Sequence, residues 1–382
     1  VKVPRLLAAA PLLVLIALLG SACVRIENPQ GWAEPTFDGS TVYFPKSKDK
    51  LSAFEITADG SLTQLWQFPD NNREDEKAIK LQAIYGAAVK DAGRIYFASF
   101  SGGVFALDAN TGRAIWPGKG GDKAQISGNI SGGVALAGDK LLFATTEGLL
   151  YAWNTSDGSP AKGWEKPKKI DGGVWATPVV SGDTVFVATM DGEVQALSLV
   201  NGSALWPAPF KASGSIADLT LLNGGRVFVP SLNRHVYILD ATSGAVLTDF
   251  RADDWVWTRP AVKDNVAYFG DFSGKTYALD ISVTPATQIW SSDAALGTRV
   301  KAGPAILDGV LLVGDRGSVV NFLDAKTGTG LNKVPLGGDG TIRANLVAKD
   351  GLGYVVTTSG KLYRADPKAK QVVEVPVGGG AK

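Results

Sequence analysis

The sequence predicts an all-β protein, an eight-bladed β-propeller built from four-stranded antiparallel blades. Three observations predict it. Apolar strand starts recur at Val42, Ile95, Leu141, Val185, Val227, Val266, Val310 and Tyr354, about 45 residues apart on average, close to the period of a four-stranded propeller blade. Each unit contains β-branched or aromatic runs broken by Gly, Asp and Asn turns, and helical periodicity is absent from residue 32 onward. With 45% apolar residues, 46 glycines and 10 tryptophans, the 382-residue chain has both the core-forming mass and the turn residues that such a ring requires.

At the start, Lys2 and Arg5 precede an almost unbroken apolar run from Leu6 to Gly20. At about 15 residues it is too short for a comfortable membrane span and suits the apolar core of an export signal. The run leads through Ser21 and Ala22 into Cys23, the only cysteine. This pattern resembles a bacterial lipoprotein signal, which implies cleavage after residue 22 and lipidation of Cys23. The expected organisation is a signal over 1–22, a short tether over 23–31, a single propeller over 32–378 and a tail over 379–382.

Within the propeller each unit opens with a short strand and a turn such as SGDT or VKDN, followed by a second strand such as TVYFP, RIYFAS or TVFVAT. A Gly-bearing loop then leads to a third strand with an aromatic near its start, at Phe105, Tyr151, Tyr237, Tyr277 and Tyr363. Alanine follows at Ala53, Ala106, Ala152, Ala196 and Ala278, where a small side chain lets neighbouring sheets approach. The fourth strand closes on Trp66, Trp116, Trp164, Trp206 and Trp290, while repeats five, seven and eight lack that tryptophan. Five indoles at one repeat position read as packing between blades. QVVEVPV, 371–377, supplies the last blade with its own fourth strand.

Charge and chemistry narrow the function. Lys and Arg number 38 against 37 Asp and Glu, so the basic excess that a sequence-neutral nucleic-acid surface needs is missing. One Cys and one His, His235, leave no room for a disulfide framework, a Cys/His zinc site or a Cys-His or Ser-His-Asp nucleophile system. No metal site and no cofactor are expected. Asp108, Asp271 and Asp315 stand in Asp/Gly turns, where turn formation accounts for them.

Residues 106–116, ALDANTGRAIW, match AxDxxTGxxxW at each specified position, and 196–206, ALSLVNGSALW, match it with Ser198 in the Asp place. That motif is the repeat of the pyrroloquinoline-quinone-like β-propellers, and the chain resembles this family over its whole length as architecture. Eight such blades directly behind a lipoprotein signal resemble, more narrowly, the lipoprotein of the outer-membrane β-barrel assembly machinery. The resemblance implies a non-enzymatic, lipid-anchored scaffold on the outer face of a bacterial membrane, monomeric, and bound to protein partners of a barrel-assembly complex. Quinoprotein dehydrogenases of similar repeat hold their quinone with two adjacent cysteines, a calcium ion and a catalytic Asp. A single cysteine cannot supply that motif, so a quinone-dependent oxidoreductase is the weakest reading. The stronger alternative is a surface lipoprotein that binds a small ligand or a cell-wall polymer in the mouth of the central channel.

The mouth is where chemistry can gather. Aligning the blade entries puts Trp32, Tyr85, Ser131, Trp175, Ala217, Trp257, Lys301 and Arg343 at one ring position. Two residues further on stand Glu34, Arg259 and Asn345 among smaller or apolar side chains. Aromatics converging with cations make a surface fit for a peptide or small ligand, so Trp32, Tyr85, Trp175, Trp257, Arg259, Lys301 and Arg343 are the candidate binding residues. The competing reading has the ring tryptophans cap the core where the first strands begin. Two irregular stretches, 69–80 and 231–235, are expected on the same face, as solvated loops or as docking loops.

Overall fold

The computed structural model describes residues 30–117, 126–293, 298–338 and 340–378. The signal, Cys23 and nearly all of the tether lie outside the described residues. From Thr36 to Glu374 the chain forms strands β1 to β32 in sequence order, and each set of four consecutive strands makes one antiparallel sheet. Blade 1 is β1 (Thr36–Asp38), β2 (Thr41–Ser47), β3 (Lys50–Ile56) and β4 (Leu62–Phe68). Blade 8 is β29 (Val347–Lys349), β30 (Leu352–Val356), β31 (Leu362–Asp366) and β32 (Gln371–Glu374), so it does supply its own fourth strand.

The alternation of the second and third strands explains why such short elements hold. Their side chains point to both faces of each sheet, and both faces are covered, so these strands carry runs of buried residues. Paired aromatics stack across them: Phe97 on Phe105, Phe143 on Tyr151 and Phe269 on Tyr277, with ring centroids 5.2, 5.1 and 5.2 Å apart. The five repeat alanines are all buried, beside residues of the adjoining sheet.

The core is distributed over the interfaces between blades. One apolar cluster joins each neighbouring pair, including blade 8 with blade 1 through Val42, Phe44, Phe54, Leu62, Tyr354, Val356 and Leu362. That last cluster closes the ring, and backbone pairing reinforces it. The Leu62 amide donates to the Pro376 carbonyl at 2.8 Å and the Gly378 amide donates to the Leu62 carbonyl at 2.8 Å. Closure leaves no sheet face open between the first and last blades.

The five repeat tryptophans all sit between blades, and each indole Nε1 donates to a backbone carbonyl of the next blade. The acceptors are Ala109, Thr155, Leu199, Ala241 and Ala325, at 2.8 to 3.0 Å. The repeat motif is thereby explained as one device spanning two blades. Asp108 accepts from the Asn110 and Thr111 amides and the Thr111 hydroxyl, which shapes the turn and holds the Asp carboxyl below its usual range. The turn presents Gly112 to the preceding Trp66, where a Cβ would lie 2.4 Å from the ring. Gly158, Gly244 and Gly328 meet Trp116, Trp206 and Trp290 in the same way.

One expectation needs correction. Trp164 and Trp206 do not end fourth strands; they precede two-residue strands, β12 (Lys168–Lys169) and β16 (Phe210–Lys211). Repeats five and seven, which lack the tryptophan, carry Thr248 and Asn332 at its position. Thr248 Oγ1 accepts from the Ala286 amide at 2.9 Å, and Asn332 Nδ2 donates to the Lys370 carbonyl at 2.8 Å. Both side chains thus bond to the following blade without the indole's bulk, Asn332 as a donor like the indole and Thr248 as an acceptor.

Candidate functional site

Each blade entry repeats a three-residue pattern that aims one side chain at the channel. The first residue is a buried anchor, as in Ile84, Ile130, Val174, Ile216, Val256, Val300 and Ile342, none more than 1% exposed. The third is usually small, because backbones of adjacent entries nearly touch: a Cβ on Gly86 would lie 2.0 Å from the Gly133 Cα. Between them stands the ring residue, turned inward by its neighbours' burial. Trp32, Trp175, Trp257, Lys301 and Arg343 are consequently half-buried, and they line a cavity rather than fill the core.

All eight ring residues come together. An outer cavity of about 430 Å³ is lined by Gln30, Trp32, Tyr85, Ser131, Trp175, Lys301 and Arg343, and a deeper one of about 250 Å³ also reaches Glu34, Asp218, Arg259 and Asn345. Trp32 meets Tyr85 edge-on at 4.4 Å, and Trp175 meets Trp257 edge-on at 6.2 Å. Trp257 continues outward to Phe272 and the exposed Trp255.

The charges are layered. Lys301 Nζ lies 4.0 Å from the centre of the Trp32 ring and 3.9 Å from that of Trp257, held between two indole faces. Burial, then the charges of Arg343 and Arg316, push Lys301 down to about 7. Arg343 sits 5.4 Å from the Trp32 ring and donates from Nε to Thr341 at 3.1 Å; burial and Arg316 lower it too. Deeper down, Arg259 crosses the channel to pair with Glu34, whose other oxygen is buried without a hydrogen-bond partner. Burial works against the Arg259 charge, but Glu34 and Asp218 outweigh it and raise its pKa.

Asp218 went unnoticed in the sequence, yet a signal was there. It is the one acid at an entry position otherwise held by Gly, Ala or Thr. Its carboxylate accepts from the Leu219 amide at 2.8 Å, and burial raises it to about 6 despite Arg259. The native state therefore holds this proton more tightly than the unfolded chain, and stability falls as pH rises from about 4 to about 6. Asp218→Asn is expected to flatten that fall. Some exposure to the channel limits the difference to at most about 2 kcal/mol, read by comparing melting temperatures at pH 4.5 and 7.

The irregular stretches are built into the scaffold. In 69–80, Arg73 pairs with Glu76 at 3.0 Å and donates to the Thr111 carbonyl at 2.9 Å, tying the segment to the turn of blade 2. His235 begins a strand, with Nδ1 at 2.5 Å from Asp249 and its ring stacked on Tyr237. Asp271 accepts from Ser273, Tyr277 and the Asp254 and Lys275 amides, and Asp315 from the Gly317 and Val319 amides and Asn321. Both carboxylates are committed to shaping loops.

Comparison with known proteins agrees with this architecture. The chain is 24% identical to the outer membrane protein assembly factor BamB of Xanthomonas campestris pv. campestris, over 91% of this chain and 95% of that protein. It is 24% identical to BamB of Shewanella oneidensis, over 78% and 74%. The crystal structure of BamB from Moraxella catarrhalis superposes with a TM-score of 0.65 at 16% identity, covering 87% of this chain and 93% of that one. The computationally designed Ika8 protein superposes with a TM-score of 0.69, also at 16% identity, over 88% and 97%. The family model described as outer membrane protein assembly factor BamB matches residues 28–126, 106–219 and 202–283. These matches run without a break from 28 to 283, well over half the sequence, and the chain belongs to the BamB family.

Proposed function

We propose that this protein is a non-enzymatic, lipid-anchored scaffold of outer-membrane protein assembly, holding a barrel-assembly partner on the loop-rich face around the channel mouth. The observation that carries the reading is the family match through residue 283, in a ring whose repeats are preserved to the last blade. The mouth face supports it. Trp255 is 46% exposed there and continuous with Phe272 and Trp257, and large aromatics of this kind anchor protein interfaces. The acids of the neighbouring loops are engaged in turns, which favours binding over catalysis as the work of this face. In this reading residues 1–22 are the signal, Cys23 carries the lipid, 23–31 keep the monomeric propeller of 32–378 close to the membrane, and 379–382 are a tail.

Affinity purification of the tagged, full-length protein from its native membrane is expected to recover a barrel-assembly protein above a signal-less control. The Trp175→Ala/Trp257→Ala double variant should lower that recovery about tenfold, the scale of interface aromatics, with its melting temperature little changed. The scaffold role is lost if deleting the protein leaves outer-membrane barrel levels unchanged and no assembly factor crosslinks to it.

A further inference from the structure

The floor of the mouth holds a group of cations that the scaffold role does not use. Lys301 is wedged between the faces of Trp32 and Trp257, at 4.0 and 3.9 Å, and Arg343 stands 5.4 Å from the centre of the Trp32 ring. Arg316, on the next loop, is near enough to act on both. Among the described residues no carboxylate pairs with Lys301, Arg316 or Arg343, whereas Arg259, one layer deeper, has Glu34. Three like charges gathered without an acid repel one another and are partly desolvated, which is unfavourable until an anion enters. The space beside them, about 430 Å³, falls in the range of small-molecule sites, and its walls are the rings of Trp32, Tyr85 and Trp175.

We infer that this cavity is a binding site for a carboxylate carried on a ring, the carboxylate meeting Lys301 and Arg343 and the ring lying against the indoles of Trp32 and Trp175. The two charged groups supply the paired donors a carboxylate needs. The aromatic walls supply flat surfaces on which a sugar ring or an aromatic ring packs. Those are the two sources of one chemistry, a sugar acid or an aromatic acid. The site holds whether or not the surrounding loops carry a protein partner.

Protonation gives the site a signature. The groups facing Lys301 are Arg343, Arg316, Trp32 and Trp257, with Tyr85 across the cavity and Glu34, Asp218 and Arg259 beneath. In the empty site Lys301 loses its proton near neutrality, and a bound carboxylate would restore it. Binding should therefore weaken as pH rises from 6.5 to 8.5.

The test uses the purified mature protein without partners, titrated with D-glucuronate and with phenylacetate. Glucose, phenylacetamide and inorganic phosphate serve as controls, and calorimetry and tryptophan fluorescence as readouts. One carboxylate should bind saturably at millimolar concentration or better, at least tenfold more tightly than its neutral counterpart, and about tenfold more weakly at pH 8.5 than at 6.5. Glucuronate binding would mark a sugar acid and phenylacetate binding an aromatic acid. Lys301→Met should abolish the pH dependence, and Arg343→Gln should weaken binding while keeping it, each checked for an unchanged melting curve. The inference is overturned by the absence of saturable binding, by phosphate binding as tightly as either carboxylate, or by affinity unaltered in both variants. None of these outcomes bears on recovery of a protein partner, so this site and the scaffold role fail separately.

Discussion

Gly360→Ala is expected to lower stability by about 4 kcal/mol or more, the range in which core clashes stand out from ordinary substitutions, and to depress the melting temperature by about 10 °C. Gly351→Ala, in the same blade, should cost only about 1 to 2 kcal/mol. Both glycines have left-handed backbones, with φ of +78° and +76°. A Cβ on Gly351 meets nothing within 4 Å, whereas one on Gly360 would lie 1.8 Å from the carbonyl oxygen of Lys46. That oxygen belongs to β2 of blade 1, at an irregularity in its pairing with β3, and a backbone atom cannot swing aside as a side chain could. The pair separates the strain of the turn, common to both, from the clash between blade 8 and blade 1, peculiar to Gly360. Equal losses in thermal unfolding of the two variants would show that close approach at this junction does not matter.

Trp66→Ala should be comparably severe, at about 3 to 5 kcal/mol, the usual cost of deleting a large buried aromatic. The indole is 5% exposed, packs against Tyr43 with centroids 5.8 Å apart, lies on Gly112 and donates to the Ala109 carbonyl. Its loss opens a cavity between blades 1 and 2 and leaves a buried carbonyl without that partner. Trp66→Phe should recover part of the packing and none of the hydrogen bond. Its stability is therefore expected to fall between wild type and alanine in urea unfolding. Equal stability of Trp66→Phe and wild type would remove the hydrogen bond from the account.

The ring was legible because repetition multiplies a weak local signal. A single short run such as Arg94–Ala98 could belong to many folds, but eight similar runs at one spacing fix both the blade and the closure. The convergence of Trp32, Trp257, Lys301 and Arg343 was legible for the same reason, since aligned entries must point at one axis. Asp218 was missed because its meaning depends on burial and on Arg259, a whole blade further along the chain and so out of reach of any local reading. Thr248 and Asn332 were missed because residue type hides equivalence: they keep a hydrogen bond to the next blade from the tryptophan position, Thr248 with donor and acceptor reversed, while losing its size. The short fourth strands after Trp164 and Trp206 reflect departures from regular pairing that composition does not encode.

The junction of blades 1 and 8 also dictates an order of events. Other blades pack against neighbours that follow soon after them in the chain, and those contacts can form while the rest is still unfolded. Leu62 must wait for residues 376 to 378. Drawing together points about 300 residues apart in an unfolded chain costs roughly 5 kcal/mol in loop-closure entropy, and that cost shrinks only as the intervening blades assemble and bend the array into a circle. Until then an incomplete ring keeps Val42, Phe44 and Phe54 at one end and Tyr354, Val356 and Leu362 at the other uncovered, two sticky surfaces made for each other. A second incomplete ring could satisfy them equally well. Folding of this chain is thus a race between self-closure and joining a neighbour, decided by concentration and by how quickly the last blade forms.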